Sequence, residues 1–358
     1  MRLDRIGSQG VALALAAALL FGASAPLAKG LLRDVSPQLL AGLLYLGSGT
    51  GLILLWLARR GLTTPRPSAT EAPLSRADLP WLAGAILSGG VAGPLLLMLG
   101  LARTPASAAS LLLNLESVFT AALAWVVFRE HVHPRIVFGM AAIIVGGVLL
   151  SWEGRLAWGG LTGPLAIAGA CLAWAVDNNL TQKVSASDPV QITMLKGLVA
   201  GATNTIIALG LGARWPSGSV PAAAAVVGFF GYGVSLILYV RALRELGTAR
   251  TGAYFSLAPF IGAGLGILLW HESVTLTFVA AAGLMGIGLW LHLTERHAHR
   301  HTHEALEHAH PHVHDVHHQH VHSPDDPAGE PHTHRHRHEP LTHRHPHYPD
   351  IHHRHSHS

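Results

Sequence analysis

Ten stretches of roughly 20 apolar residues follow one another between the N-terminus and Leu293, and nothing else in the chain restricts its fold as much. A helix of that length crosses the hydrocarbon of a bilayer. With 50% apolar and 12% charged residues among 358, the chain lacks the charge that a water-facing surface of this size requires. The first stretch runs to about Leu32, the others over about 37–58, 80–102, 106–128, 134–151, 161–181, 190–211, 220–243, 249–270 and 274–293. Proline or glycine stands at many of their edges, where a helix starts or stops cheaply. Alanine, leucine and glycine dominate, which suits helices packed on helices in lipid. Gly47 with Gly51, and Gly262 with Gly266, are close-packing faces of that kind.

Ala23-Ser24-Ala25 resembles a signal-peptide cleavage site. Pro26 is a poor residue to follow a cut, and the stretch aligns with the second half, Ala23 over Ala175 and Pro37 over Pro189, so an uncleaved first helix is expected. A second internal match runs from Ala108–Leu150 to Phe255–Leu291: with Glu130 on Glu272, Ser117 falls on Pro259 and Gly146 on Gly288. Placing the N-terminus in the cytoplasm puts twelve Lys and Arg in the inner segments, from Arg2 and Arg5 to Arg244 and Arg250, and only Arg33, Arg103, Arg155 and Arg214 outside. Both termini are then cytoplasmic, and a unit of five helices repeated once must insert inverted. The expected fold is an all-α integral membrane protein of the cytoplasmic (inner) membrane. Its ten transmembrane helices form two inverted repeats, 1–152 and 153–293, followed by a disordered histidine-rich cytoplasmic tail, 294–358.

Other classes fall away. Cys171 is the single cysteine, so no intramolecular disulfide framework exists, and a net charge of +4 is too small to imply nucleic acid. The segment from Arg59 to Leu79, rich in Pro, Thr and Ser, reads as a linker. No Gly-rich phosphate loop, nucleophile elbow or zincin motif occurs, so an enzyme is not expected.

Ionisable residues inside the apolar stretches cost roughly 2.5–3.5 kcal/mol each on insertion scales and should face a cavity or a partner. Lys29 lies near the outer end of the first helix, where snorkelling explains it. Glu116 lies near mid-membrane in the fourth and is the candidate proton carrier or substrate contact, against a packing role. Asn114, two residues earlier, sits about 200° round the helix, so the two cannot share one narrow path. Asp177 in the sixth helix and Lys196 in the seventh both fall roughly 7–10 Å from the inner face, so they can pair, either as a static pin or as a gate. Asn178 and Asn179 point about 100° apart, and one of them is expected to face the pore. Trp174 shares the face of Asp177 and can wall a cavity, whereas Tyr232, Tyr239, Tyr254 and the tryptophans at the block ends, Trp270 among them, fit an interfacial belt better.

These residues resemble a known group. Phe21-Gly22-Ala23-Ser24-Ala25-Pro26, Ser110-Leu-Leu-Leu-Asn-Leu-Glu116 with Phe128-Arg129-Glu130, and Trp174 with Asp177-Asn-Asn-Leu-Thr-Gln-Lys183 are similar to the drug/metabolite transporter superfamily, EamA type, over nearly all of residues 10–293. The resemblance implies ten helices, an inverted repeat and movement of small metabolites through a central cavity by alternating access. It names no substrate. Export of a small-molecule metabolite, with Glu116, Asn114, Asp177, Asn178, Lys196 and Trp174 as substrate or coupling residues, is the resulting expectation. The expected partners are membrane lipid, the substrate and, as a homodimer, a second copy of the chain.

The tail from His297 holds 23 of the 27 histidines, mostly as His-x-His, with few aliphatic residues to bury. Neutral imidazoles bind Zn²⁺, Ni²⁺, Co²⁺ and Cu²⁺. His299, His301, His303, His310, His312, His314, His334, His336 and His338 are the candidate ligands, in a buffering or regulatory role that transport does not require. The alternative reading is a transition-metal transporter, or a membrane metal sensor, served by this tail.

Overall fold

The computed structural model describes residues 2–62, 74, 76–126, 134–151, 158–184, 188–246 and 248–294, and the backbone of 297–303, 306–312, 332–338 and 341–347. Among these residues ten helices are long and apolar enough to cross a membrane, over spans of 18 to 25 residues. The chain is a multi-pass membrane protein. Its helices are α1 (Arg2–Leu31), α2 (Pro37–Leu62), α3 (Leu79–Ala85, Ile86–Ala92 and Gly93–Arg103), α4 in two halves, α4a (Ala106–Leu112) and α4b (Leu115–Val126), α5 (Pro134–Ser151), α6 (Trp158–Val184) and α7 (Pro189–Gly210). They continue as α8 (Val220–Gly228, Phe229–Val234 and Ser235–Leu246), α9 in two halves, α9a (Thr248–Phe255) and α9b (Ala258–Trp270), and α10 (Leu276–Leu293).

Helix starts follow local chemistry. Pro37, Pro134 and Pro189 open α2, α5 and α7, where a missing N–H costs nothing. The Asp188 carboxylate accepts from Val190 N at 2.8 Å ahead of α7, and the Thr275 hydroxyl accepts from Phe278 N at 3.1 Å ahead of α10.

In lipid, helices associate through close packing rather than through water exclusion. Extensive contacts run between α2 and α7 and between α5 and α10. At the first, a Cβ on Gly197 would lie 2.6 Å from Gly49 N; at the second, a Cβ on Gly288 would lie 2.6 Å from Gly139 O. Only glycine permits such backbone approach. The glycines singled out in the sequence close-pack as well, Gly47 and Gly51 against α8 and Gly262 and Gly266 against α1 and α4a. Fully buried Leu39, Leu44, Leu97, Met98, Leu112, Ile143 and Ile167 fill the interior, whereas Leu54, Phe138, Ile206, Leu268 and Leu276 lie outward at the positions lipid would cover.

Four helices depart from the straight rods that the apolar blocks suggest. α3 contains a π-helical turn at Ile86–Ala92 and α8 one at Phe229–Val234. Each turn holds two glycines, Gly89 and Gly90 in one and Gly231 and Gly233 in the other, whose lack of side chain eases the wider winding. α4 breaks at Leu113–Asn114 and α9 at Ser256–Leu257. At the α4 break the Asn114 amide donates to Leu111 O at 2.8 Å and successive backbone bonds tighten to three-residue spacing, so the side chain competes with the helix. Ile86 stands to Phe229 as Leu113 stands to Ser256, so the same pair of distortions recurs once along the chain.

The breaks matter for shape. α4a packs along α9b. Beyond the breaks the two helices part: α4b leans on α6 and α5, while α9a leans on α1 and α8.

The tail is extended where its backbone is described. Its backbone forms strands β1 (His297–His303), β2 (Leu306–His312), β3 (His332–His338) and β4 (Leu341–His347), with β1 antiparallel to β4 and β2 to β3. The two-residue period of His-x-His is that of a strand. Two-stranded ladders without an apolar face are marginal on their own in water.

Candidate functional site

Two polar centres lie among the helices. The first joins the ends of α1, α3, α4a and α9b. His271 ends α9b in the left-handed region, at φ 52°, which turns the chain back on the bundle. The next residue, Glu272, then accepts from Ala106 N at 2.6 Å and Ser107 N at 2.8 Å, so a carboxylate holds the free amides that begin α4a. Lys29 of α1 donates to Leu101 O at 2.5 Å and Thr104 O at 2.9 Å, satisfying carbonyls where α3 ends. The Trp270 indole donates to Pro26 O at 3.0 Å, and Arg33 stacks over its ring at 4.7 Å. Trp270 is thus a fastening between α9b and α1 rather than a simple belt residue. Lys29, read as snorkelling, is bound to backbone instead.

The second centre surrounds the π turn of α3. A π turn leaves carbonyls without their usual helical donors. Gly89 O accepts both the Tyr45 hydroxyl and the Trp174 indole N–H at 3.0 Å, and Gly90 O accepts the Asn204 amide at 3.0 Å. α2, α6 and α7 are thereby tied to one bend. Gly89 also lets Asp177 approach: a Cβ there would overlap the Asp177 carboxylate. That carboxylate accepts Lys196 Nζ on both oxygens at 2.7 Å and the Thr181 hydroxyl at 2.8 Å. The pair is mostly buried, with side chains 9% and 13% exposed, so its mutual attraction offsets a large loss of hydration.

Glu116 stands across α6 from this pair. Asn178 Nδ2 donates to Glu116 Oε1 at 2.7 Å, and Asn178 is exposed. Among the described residues no cationic side chain pairs with Glu116, in contrast to Asp177. Asn114 does not join it: its amide is buried, bonded to Leu111 O and 3.9 Å from Met285 Sδ of α10, on another side of α4. Asn179 donates to Ala175 O of its own helix at 2.7 Å, leaving Asn178 as the accessible amide of the two. Cys171, buried, places its sulfur 3.7 Å from Leu112 O at the α4 break.

An arc of aromatic rings completes the centre. Tyr45 and Tyr232 lie 5.4 Å apart between centroids, Phe21 and Tyr232 6.1 Å, Phe21 and Phe255 5.4 Å, and Tyr239 and Phe255 4.7 Å. Tyr232 and Tyr239 are therefore inside the bundle rather than in an interfacial belt, because α8 turns that face toward α1 and α9a. No local pattern marks the arc, since its members come from four helices. The paired glycines at 89–90 were the available hint of a distorted α3.

The metal-ligand candidates lie elsewhere. The side chains of His299, His301, His303, His310, His312, His334, His336 and His338 fall outside the described residues, and His314 falls outside them altogether. Among the described residues no three His, Cys, Asp or Glu side chains gather as a metal site.

Comparison with known proteins locates this architecture. The EamA-like transporter family matches residues 8–152 and again residues 161–294. An uncharacterized transporter of Methanothermobacter thermautotrophicus is 31% identical over 288 residues, covering 76% of this chain and 81% of its own. A crystal structure of a protein 20% identical in sequence superposes with a TM-score of 0.57, over 79% of this chain and 95% of that one, a likeness of fold.

Proposed function

The chain belongs to the EamA-like transporter family, and on that premise we propose that it is a secondary transporter moving a small organic metabolite, in the direction of export, across the cytoplasmic membrane by alternating access. The observation that carries this reading is the parting of α4b from α9a below two breaks whose other halves remain packed, with Glu116 in the parted half. The duplicated family match and the recurrence of a π turn and a break in each half support two inverted five-helix units, 1–152 and 153–293. The excess of Lys and Arg in segments on the N-terminal side supports cytoplasmic termini. In that orientation the Lys29–Glu272–Trp270 fastening closes the outer end and the hollow opens inward. Asp177, Lys196, Asn178 and Trp174 form the inner wall.

The test is two-sided accessibility. In a Cys171→Ala background, Asn178→Cys should react with a membrane-impermeant maleimide from the inner side only. Adding Glu272→Gln removes the charge that holds α4a, and labelling from the outer side should rise several-fold. Inner-only labelling in both forms, with no solute movement in proteoliposomes, overturns the reading.

The tail serves this scheme as a metal-binding segment outside the transport route. The strand register supports it, pairing His299 with His345, His301 with His343 and His310 with His334. Deleting residues 297–358 should abolish Zn²⁺ and Ni²⁺ binding by equilibrium dialysis and leave organic solute transport at its full rate. Loss of transport together with metal tolerance would favour a metal carrier fed by the tail.

A further inference from the structure

We propose that the paired strands of the tail form two separate transition-metal sites, each built from two neighbouring rungs of opposed histidines, four imidazoles to one ion. The inference rests on the metal-binding reading of the tail above and adds its ligand sets and their number.

The backbone register carries it. Between β1 and β4, His297 stands opposite His347, His299 opposite His345 and His301 opposite His343. Between β2 and β3, His308 stands opposite His336, His310 opposite His334 and His312 opposite His332. Successive residues of a strand alternate between its faces, so within each ladder these rungs share one face. The rungs between them hold no histidine: Arg300 meets Arg344 and Thr302 meets Thr342 in the first ladder, and Glu307 meets Arg337 and Ala309 meets Arg335 in the second. Composition alone does not produce this sorting. A slip of one residue would set His299 and His310 against Arg, Thr or Pro instead. Both ladders follow a single register, because nine steps along each strand lead from His297–His347 to Leu306–His338. Counted from His297, the histidine rungs fall on even steps in the first ladder and on odd steps in the second. The two sets therefore belong to opposite faces of that register and do not make one row.

The spacing suits an ion. Opposed Cβ atoms of antiparallel strands lie about 5 Å apart, and neighbouring rungs of one face about 7 Å apart. Two such rungs bring four imidazoles within the span of one four-coordinate ion, whose bonds to nitrogen are about 2 Å. Imidazole sets of this kind suit Zn²⁺, Ni²⁺, Co²⁺ and Cu²⁺ rather than Mg²⁺ or Ca²⁺. The ladders also need what a metal supplies. Two strands without an apolar face are marginal in water, and Arg300 opposite Arg344 sets like charges against each other. An ion that bridges the strands adds its binding free energy to their pairing.

The central rungs, His299–His345 and His310–His334, belong to any choice of two neighbouring rungs, so losing one leaves its ladder without a four-imidazole set. The experiment uses the full chain in detergent, stripped by a chelator and dialysed against buffered Zn²⁺, with the bound metal counted by mass spectrometry. Two tight ions per chain are expected, with X-ray absorption showing imidazole nitrogens at about 2.0–2.1 Å. His310→Ala with His334→Ala should leave one tight ion, His299→Ala with His345→Ala likewise one, and the four substitutions together none. His320→Ala with His322→Ala, which takes the same number of histidines from outside β1–β4, should leave two. Ala309→His with His310→Ala keeps the histidine count and moves one imidazole to the other face; it should leave one. Equal loss in the rung variants and in His320→Ala with His322→Ala, or two tight ions after the exchange at 309 and 310, overturns the inference. If deleting residues 297–358 removes Zn²⁺ binding while the rung variants match that control, the metal-binding tail stands and only the ladder sites fall. If the shortened chain binds Zn²⁺ as the full chain does, both fall.

Discussion

Glu116→Gln is expected to abolish net solute movement in proteoliposomes while membrane insertion, purification yield and elution volume stay as in the parent. The substitution is close to isosteric. The amide oxygen of glutamine can still accept from Asn178 Nδ2, so the contact between α4b and α6 survives at a cost of about 1 kcal/mol or less. What disappears is a carboxylate that no described cation offsets. A carrier that uses this carboxylate, for a proton or for a substrate, then has nothing to exchange. Full transport by Glu116→Gln across pH 6 to 8, roughly the physiological range, would reduce Glu116 to a packing residue. Counterflow, which needs binding but no net driving ion, separates a coupling role from a binding role: it persists only if Glu116 carries the coupling ion alone.

The second large effect concerns stability. Lys196→Ala should destabilise the protein by about 3–5 kcal/mol, because it strands a buried carboxylate that loses contacts on both oxygens and keeps only the Thr181 hydroxyl. The measurement is the midpoint of thermal unfolding in detergent, followed by tryptophan fluorescence. Replacing both partners with apolar residues of similar volume, Asp177→Leu with Lys196→Met, should recover most of that loss. The double variant also decides what the pair is for. Recovery of stability together with transport marks it as a pin between α6 and α7. Recovery of stability without transport means that the charges take part in the cycle.

Helix number and approximate ends were readable from hydropathy, since a span of apolar residues has one low-energy solution in lipid. The Asp177–Lys196 pair was readable from depth alone: two antiparallel helices place both at the same level, and a buried charge seeks an opposite one. The division between Asn178 and Asn179 followed from the helical angle. The Glu272 contacts were not readable. They join residues 166 apart in sequence and depend on a left-handed His271 that no propensity scale anticipates. Nor were the π turns and breaks, because an extra residue in a turn leaves hydropathy untouched while it turns every later side chain to a new face. That rotation sets which face of α8 carries Tyr239 into the aromatic arc. Asn114 was readable from the same helical angle: two residues before Glu116, it lies against Met285 of α10 and away from Asn178.

A wide turn holds one residue more than the regular winding uses, and that surplus can travel. Passing it along by a single position exchanges one backbone bond for another and re-aims the residue it passes by about 100°, with no turn unravelled. α3 and α8 each contain such a swivel, one gripped by Tyr45, Trp174 and Asn204 and the other carrying Tyr232. Loosening the grip on Gly89 would free the first to shift, and that freedom lies within the packed helices rather than in a loop.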